Sequence, residues 1–133
     1  MHITGLYTAL AALLVLLLAA RVVMMRNRRK VGLGDGNIPE LAKAIRAHAN
    51  AVEYLPIGLL LLLLLDLDQT RPGLLHLFGI TLLLGRVLHA WGLSHHAGHS
   101  FGRFMGIALT WLAMLAMAVL LLWQFVLSRS LAA

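Results

Sequence analysis

An all-α integral membrane protein built as a four-helix transmembrane bundle is the fold class this sequence predicts, and three observations predict it. Of 133 residues, 61% are hydrophobic and 12% charged, with a mean hydropathy of +0.88, more apolar surface than a water-soluble domain of this size has use for. Four apolar stretches long enough to cross a bilayer lie at about 3–25, 40–65, 73–93 and 101–128. Three short polar links separate them. One domain, residues 1–133, is all the length allows.

The first span opens with Met1 to Ala20, which carries no Asp, Glu, Lys or Arg. A cleaved signal peptide has a basic start; here the cations follow instead, at Arg21, Arg26, Arg28, Arg29 and Lys30. That order suits an uncleaved span whose amino end lies outside. Residues 26–39 are turn material, rich in glycine with an Asp35-Gly36 pair. They faintly resemble a phosphate-binding glycine loop, but no strand precedes them, so a helix–helix connection is expected.

Pro39 and Glu40 suit the first turn of the second helix. Pro56 lies inside that helix and predicts a kink, because its ring removes a backbone donor. Asp66 to Gly73 is a tight polar link, and Ser94 to Ser100 is another. The fourth span carries no charge from Phe104 to Ser128, and its Gly102 and Gly106 form a small-xxx-small pair suited to close helix contact.

The formal net charge of +6 comes mainly from arginines beside the spans, where anionic headgroups and helix orientation account for them; no nucleic-acid partner is expected. The chain has no cysteine, which excludes disulfides, protein thiolate nucleophiles and cysteine metal sites. Any thiol chemistry must use a ligand's sulfur.

In an antiparallel four-span chain the first and third links share one side. That side holds Arg26, Arg28, Arg29, Lys30, Lys43 and Arg103, while the other holds Arg71 and Arg129. The positive-inside rule places the first and third links in the cytoplasm and both termini outside, in a multi-pass protein of a bacterial inner membrane.

The second span carries the polar stripe. Arg46, Asn50 and Glu53 fall at i, i+4 and i+7, within an arc of about 60° on a helix that continues as leucine. Arg86 and His89 lie in the same half of the third span, Arg21 ends the first helix, and Arg103 starts the fourth at that same level. Polar groups from all four helices thus converge at one depth, and ionisable groups there point to function. A site with these four arginines, Glu53 and Asn50 is net positive. It suits a ligand with more than one carboxylate, gripped by guanidinium forks, and Glu53 offers a place for an ammonium group. A small zwitterionic anion such as a γ-glutamyl peptide fits. The alternative is that Arg46 and Glu53 form a structural ion pair that helps the helices associate.

The run Arg46-Ala-His-Ala-Asn50-Ala-Val-Glu53-Tyr54-Leu-Pro56, followed by Gly85-Arg86-x-x-His89 and then Arg103, resembles the MAPEG family, the membrane-associated proteins in eicosanoid and glutathione metabolism. Span number, link order and length extend the likeness to nearly the whole chain. The resemblance implies a homotrimer of four-helix subunits that binds glutathione as co-substrate between neighbours, facing the cytoplasm. It implies glutathione contacts from Arg46, Asn50, Glu53 and Tyr54, with Arg86 and His89 also lining the site. Arg103 is the match for the catalytic arginine beside the sulfur. Arg21 and Arg26 are both candidates for the arginine of the first helix.

The implied activity is that of a glutathione transferase or peroxidase acting on lipophilic electrophiles from the bilayer. One departure bears on this: eicosanoid-forming members carry a tyrosine where this chain has Leu93, which favours a general or bacterial-type branch. The short loops agree.

Three other classes compete. A catalytically silent family member is one. A small multidrug transporter also uses four spans and a membrane glutamate, but a cation exporter wants a carboxylate free of arginine. A haem protein using His48 and His89 conflicts with His48 lying away from the stripe. His95, His96 and His99 have the composition of a metal cluster, yet an interfacial polar loop explains them, and no metal site is expected. Trp91, Trp111 and Trp123 suit interface anchors or packing. His76, near the outer end of the third span, has no visible partner.

Overall fold

The structure, a computed structural model, describes residues 2–95 and 100–132, with side chains as far as Leu127. Four helices follow one another: α1 (Ile3–Arg29), α2 (Pro39–Leu67), α3 (Pro72–His95) and α4 (Phe101–Ala132). All four are long and apolar enough to cross a membrane. Each runs past the apolar stretch that marks it in the sequence, because charged residues continue a helix readily once it leaves the hydrocarbon. α1 therefore does not end at Arg21 but carries on to Arg29, closing on Lys30 in the left-handed region (φ 55°). α2 passes unbroken through Pro56, which sits on an exposed face.

α1 packs against α2 and α3, α4 packs against the same two, and among the described residues the backbones of α1 and α4 do not approach each other. The α2–α3 pair is thus the spine of the bundle, with α1 on one side and α4 on the other. Buried residues stack in layers along it. At the end near the chain termini are Tyr7, Leu62, Leu65, Leu75 and Met117; next come Ala11, Ala51, Leu55, Leu82 and Ala113; at the opposite end are Ala47, Ala90 and Leu93. The largest side chains lie in the first layer, and alanines outnumber larger residues in the other two.

The end near the chain termini is fixed by polar contacts between chain-distant residues. Asp66 lies in the last turn of α2 rather than in the link, and its carboxylate accepts the Thr4 backbone N–H at 2.8 Å, capping α1 from another helix. His76 has a partner after all. The buried Tyr7 hydroxyl lies 2.8 Å from its Nδ1 and donates to its carbonyl oxygen at 3.2 Å. The Tyr7 ring lies over Gly79, where an added Cβ would sit inside it.

α3 and α4 approach most closely. A Cβ on Gly85 would stand 2.7 Å from Thr110 Oγ1 and 2.9 Å from the Gly106 carbonyl oxygen. A Cβ on Gly92 would stand 2.6 Å from the Arg103 nitrogen, and one on Gly106 would collide with the His89 backbone. Backbone atoms cannot swing aside as side-chain ends do. Gly106→Ala is therefore expected to lower stability by about 1–3 kcal/mol through overpacking, whereas Gly73→Ala, with nothing within 4 Å of its Cβ, changes it little. Thermal unfolding of both variants in one detergent tests the contrast.

Candidate functional site

The half of the bundle away from the chain termini holds a cleft of about 670 Å³ between α2, α3 and α4. Asn50 comes from α2 and His89 from α3; Ser100, Phe101, Arg103, Phe104 and Ile107 come from α4 and the residue before it. The cleft is divided chemically. Asn50, His89, Arg103 and Ser100 give it a polar floor, and two exposed phenylalanines with Ile107 give it an apolar rim.

Beneath that floor lies Arg86, 1% exposed. Its Nε donates to Thr110 Oγ1 at 2.8 Å, its Nη1 to Asn50 Oδ1 at 2.6 Å and its Nη2 to the Gly106 carbonyl oxygen at 3.2 Å. The guanidinium carbon stands 5.0 Å from the Tyr54 ring centroid, within cation–π range. Every acceptor is neutral, and no carboxylate lies within ion-pair distance among the described residues. The glycines at 85 and 106 make this possible, since they let the two backbones close until Arg86 reaches across.

The polar stripe of α2 adjoins this cluster. Glu53 Oε1 accepts from Arg46 Nη1 at 3.0 Å, and its Oε2 accepts from Asn50 Nδ2 at 3.3 Å. A continuous chain thus runs Arg46–Glu53–Asn50–Arg86–Thr110. The side chains of Arg46 and Glu53 are 61% and 47% exposed on the single subunit. Thirteen residues separate Glu53 from Asp66 in the last turn of α2, which is about 20 Å at 1.5 Å per residue. With Asp66 at one boundary of a hydrocarbon layer of about 30 Å, Glu53 stands some 10 Å inside the other. A charged pair at that depth does not face lipid tails; it faces protein, water or a ligand.

The remaining expected site residues lie elsewhere. Arg21 crosses from α1 to bond the Ser94 hydroxyl on α3, and Arg26 reaches only the Val31 carbonyl of its own link, at 3.5 Å. α1 occupies the side of the spine away from α4, so neither arginine enters the cleft of its own subunit. Leu93 is buried with Ala47, Ala90 and Leu18 and looks toward α1 and α2, not into the cleft. His95 stacks on Trp91 with ring centroids 5.0 Å apart; its loop companions His96 and His99 lie outside the described residues.

Sequence reasoning missed Thr110 and Ser100. A hydroxyl four residues after a glycine in an apolar helix is a weak signal, because such a group ordinarily bonds back to its own helix. Thr110 does that too, donating to the Gly106 carbonyl at 2.8 Å.

Fold and cleft together define a class: integral membrane four-helix proteins with a cationic site at one end of the bundle. The chain belongs to the MAPEG family, whose sequence profile matches residues 4–123. It is 39% identical over 121 residues to the inner membrane protein YecN of Escherichia coli K12, covering 91% of each chain, and equally to YecN of Escherichia coli O6:H1.

Asn50→Leu removes the acceptor closest to the Arg86 guanidinium at nearly constant volume. It is expected to cost about 1–3 kcal/mol of stability without any ligand, because a buried charged donor is left unmatched. Tyr54→Phe keeps the ring face and should change stability by less than about 0.5 kcal/mol. Unfolding of the ligand-free variants measures both.

Proposed function

We propose that this protein is a glutathione-dependent transferase or peroxidase of a bacterial inner membrane, assembled as a homotrimer. The observation that carries this reading is the two-part cleft: a polar floor of Asn50, His89 and Arg103 against an apolar rim of Phe101, Phe104 and Ile107. Such a cleft suits a reaction between a polar thiol and a lipophilic partner. The family membership supports the thiol as glutathione, and the inner-membrane name of the relative supports the location.

The residues fit that ligand. Glu53 takes the ammonium of the γ-glutamyl end. Arg46 holds a carboxylate, and Asn50 supplies a further donor. Arg103 stands at the other side of the cleft floor, where it stabilises the sulfur as an anion. The thiol proton leaves to water at the cytoplasmic mouth. The thiolate then attacks an electrophilic carbon, forming a C–S bond while the leaving group departs with its electron pair. With a lipid hydroperoxide the sulfur attacks oxygen, the O–O bond breaks and the alcohol takes up a proton. A second glutathione then reduces the oxidised sulfur, releasing disulfide and water.

Two features of the single subunit support assembly. The Arg46–Glu53 pair is exposed at a depth where lipid tails would otherwise meet it. Arg21 lies on the α1 side of the spine, across from the cleft. A ring of head-to-tail subunits brings the α1 side of one against the cleft side of the next, covering the pair and adding the first-helix arginine to the site. Native mass spectrometry from mild detergent should return a trimer; only monomer or dimer would contradict this assembly.

Glutathione should raise the melting temperature of the solubilised protein, with a cysteine-free tripeptide as control. Arg46→Ala and Glu53→Gln should each weaken its binding by on the order of 2–4 kcal/mol in properly assembled protein. A purely structural ion pair predicts lost assembly and unchanged affinity instead.

Arg103→Ala should leave glutathione bound and slow turnover. A neighbouring cation lowers an acid's pKa by roughly 1–3 units, so the thiolate titration of the bound complex, followed by ultraviolet absorbance, should move upward in this variant. The same titration on His89→Ala tests the rival donor, and an unmoved titration in Arg103→Ala would transfer the role away from Arg103.

A further inference from the structure

We propose that Thr110 is a positioning residue of the cleft: by holding Arg86 it fixes the Asn50 carboxamide, so that Asn50 presents an N–H and not a carbonyl to the ligand. This deepens the glutathione reading and rests on it for the ligand's identity, although the positioning itself requires no ligand.

A carboxamide has two orientations that differ by an exchange of donor and acceptor, and packing alone does not choose between them. Hydrogen-bond partners do. Arg86 is donor only, and its Nη1 lies 2.6 Å from the Asn50 oxygen. Glu53, when ionised, is acceptor only, and its Oε2 lies 3.3 Å from the Asn50 nitrogen. Turning the amide over would set N–H against N–H on one side and oxygen against oxygen on the other. Asn50 is thereby locked with its oxygen inward. Its second N–H remains for the cleft it lines.

The lock is only as firm as Arg86, a long side chain of high rotamer freedom. Thr110 removes that freedom. Its single hydroxyl proton is directed at the Gly106 carbonyl, 2.8 Å away, which leaves lone pairs to accept Arg86 Nε at 2.8 Å. The Gly106 carbonyl then takes Arg86 Nη2 at 3.2 Å. Thr110 is fully buried, so no bulk water replaces its hydroxyl. Two anchors on α4 and one on α2 set the plane of the guanidinium.

The consequence is a selectivity. A cleft floor offering Asn50 N–H beside Arg103 favours ligand groups that accept hydrogen bonds, carboxylates and peptide carbonyls, at that point. Amidating the ligand's carboxylates should weaken binding more in the wild type than in a variant whose Asn50 is free to turn.

The test begins without ligand. The chain has three asparagines, Asn27, Asn37 and Asn50, so selective ¹⁵N-asparagine labelling gives three side-chain amide pairs. In the wild type the Asn50 pair should exchange with solvent at least tenfold more slowly than those of Asn27 and Asn37, which are exposed. Thr110→Val, nearly isosteric but without the acceptor, should shift and broaden the Asn50 pair, raise its exchange and leave the other two unmoved. Thr110→Ser should restore the wild-type pattern.

A wild-type Asn50 pair that exchanges as fast as the other two overturns the proposal, whether or not Thr110→Val assembles. So does an unshifted pair in folded Thr110→Val. If the amide responds as stated but glutathione does not bind the wild type, the positioning stands and the glutathione reading falls. Where glutathione binds, Thr110→Val should weaken it by about tenfold, with affinity recovered in Thr110→Ser.

Discussion

The half of this bundle that holds the cleft is organised around one buried cation that, among the described residues, has no anion of its own. A guanidinium removed from water on a membrane helix is costly unless every donor is met. Arg86 finds its acceptors on two other helices: the Thr110 hydroxyl, the Asn50 carboxamide and the Gly106 carbonyl. That requirement fixes much else. Arg86 reaches α4 only because residues 85 and 106 are glycine, and Asn50 only because α2 lies against the same face. The three helices that enclose the cleft are those that Arg86 joins.

Neutral acceptors have a further effect. Paired with a carboxylate, Arg86 would cancel its own field; bonded to an amide, a hydroxyl and a carbonyl, it keeps most of it. The floor above it therefore stands at positive potential before Arg103 is counted, and a buried charge is screened little by salt. Glu53, the nearest acid, is reached only through Asn50 and is already shared with Arg46. An anion entering the cleft meets a field it did not have to assemble, the condition under which electrostatic stabilisation of a reacting group is most effective.

Much of this was legible in the sequence, and the limits have physical causes. Four spans follow from composition, since apolar runs of membrane length admit few alternatives. The stripe at 46, 50 and 53 follows from helical periodicity, and the structure forms it with direct hydrogen bonds. Tertiary reach was not legible. Nothing in the order of residues says that Arg86 turns inward rather than into the cleft, or that Arg21 lies across the spine from Arg103, because periodicity gives the face of a helix and not its neighbour. His76 shows the same limit: its partner Tyr7 lies 69 residues away. Thr110 stayed hidden because a threonine in an apolar helix already has a local bond to make.

The close packing of α3 on α4 also governs how this sequence can drift. Where leucine, methionine and tyrosine meet one another, flexible side chains of similar volume can be exchanged with modest repacking. At residues 85, 92 and 106, glycine stands against backbone, and under the Tyr7 ring Gly79 is as tightly covered, so the smallest available substitution is already an intrusion. Evolutionary freedom in this chain is therefore uneven, wide where side chain meets side chain and nearly exhausted at these glycines. New specificities would arise by changing the exposed rim on α4, while the glycines that hold the floor together stay as they are.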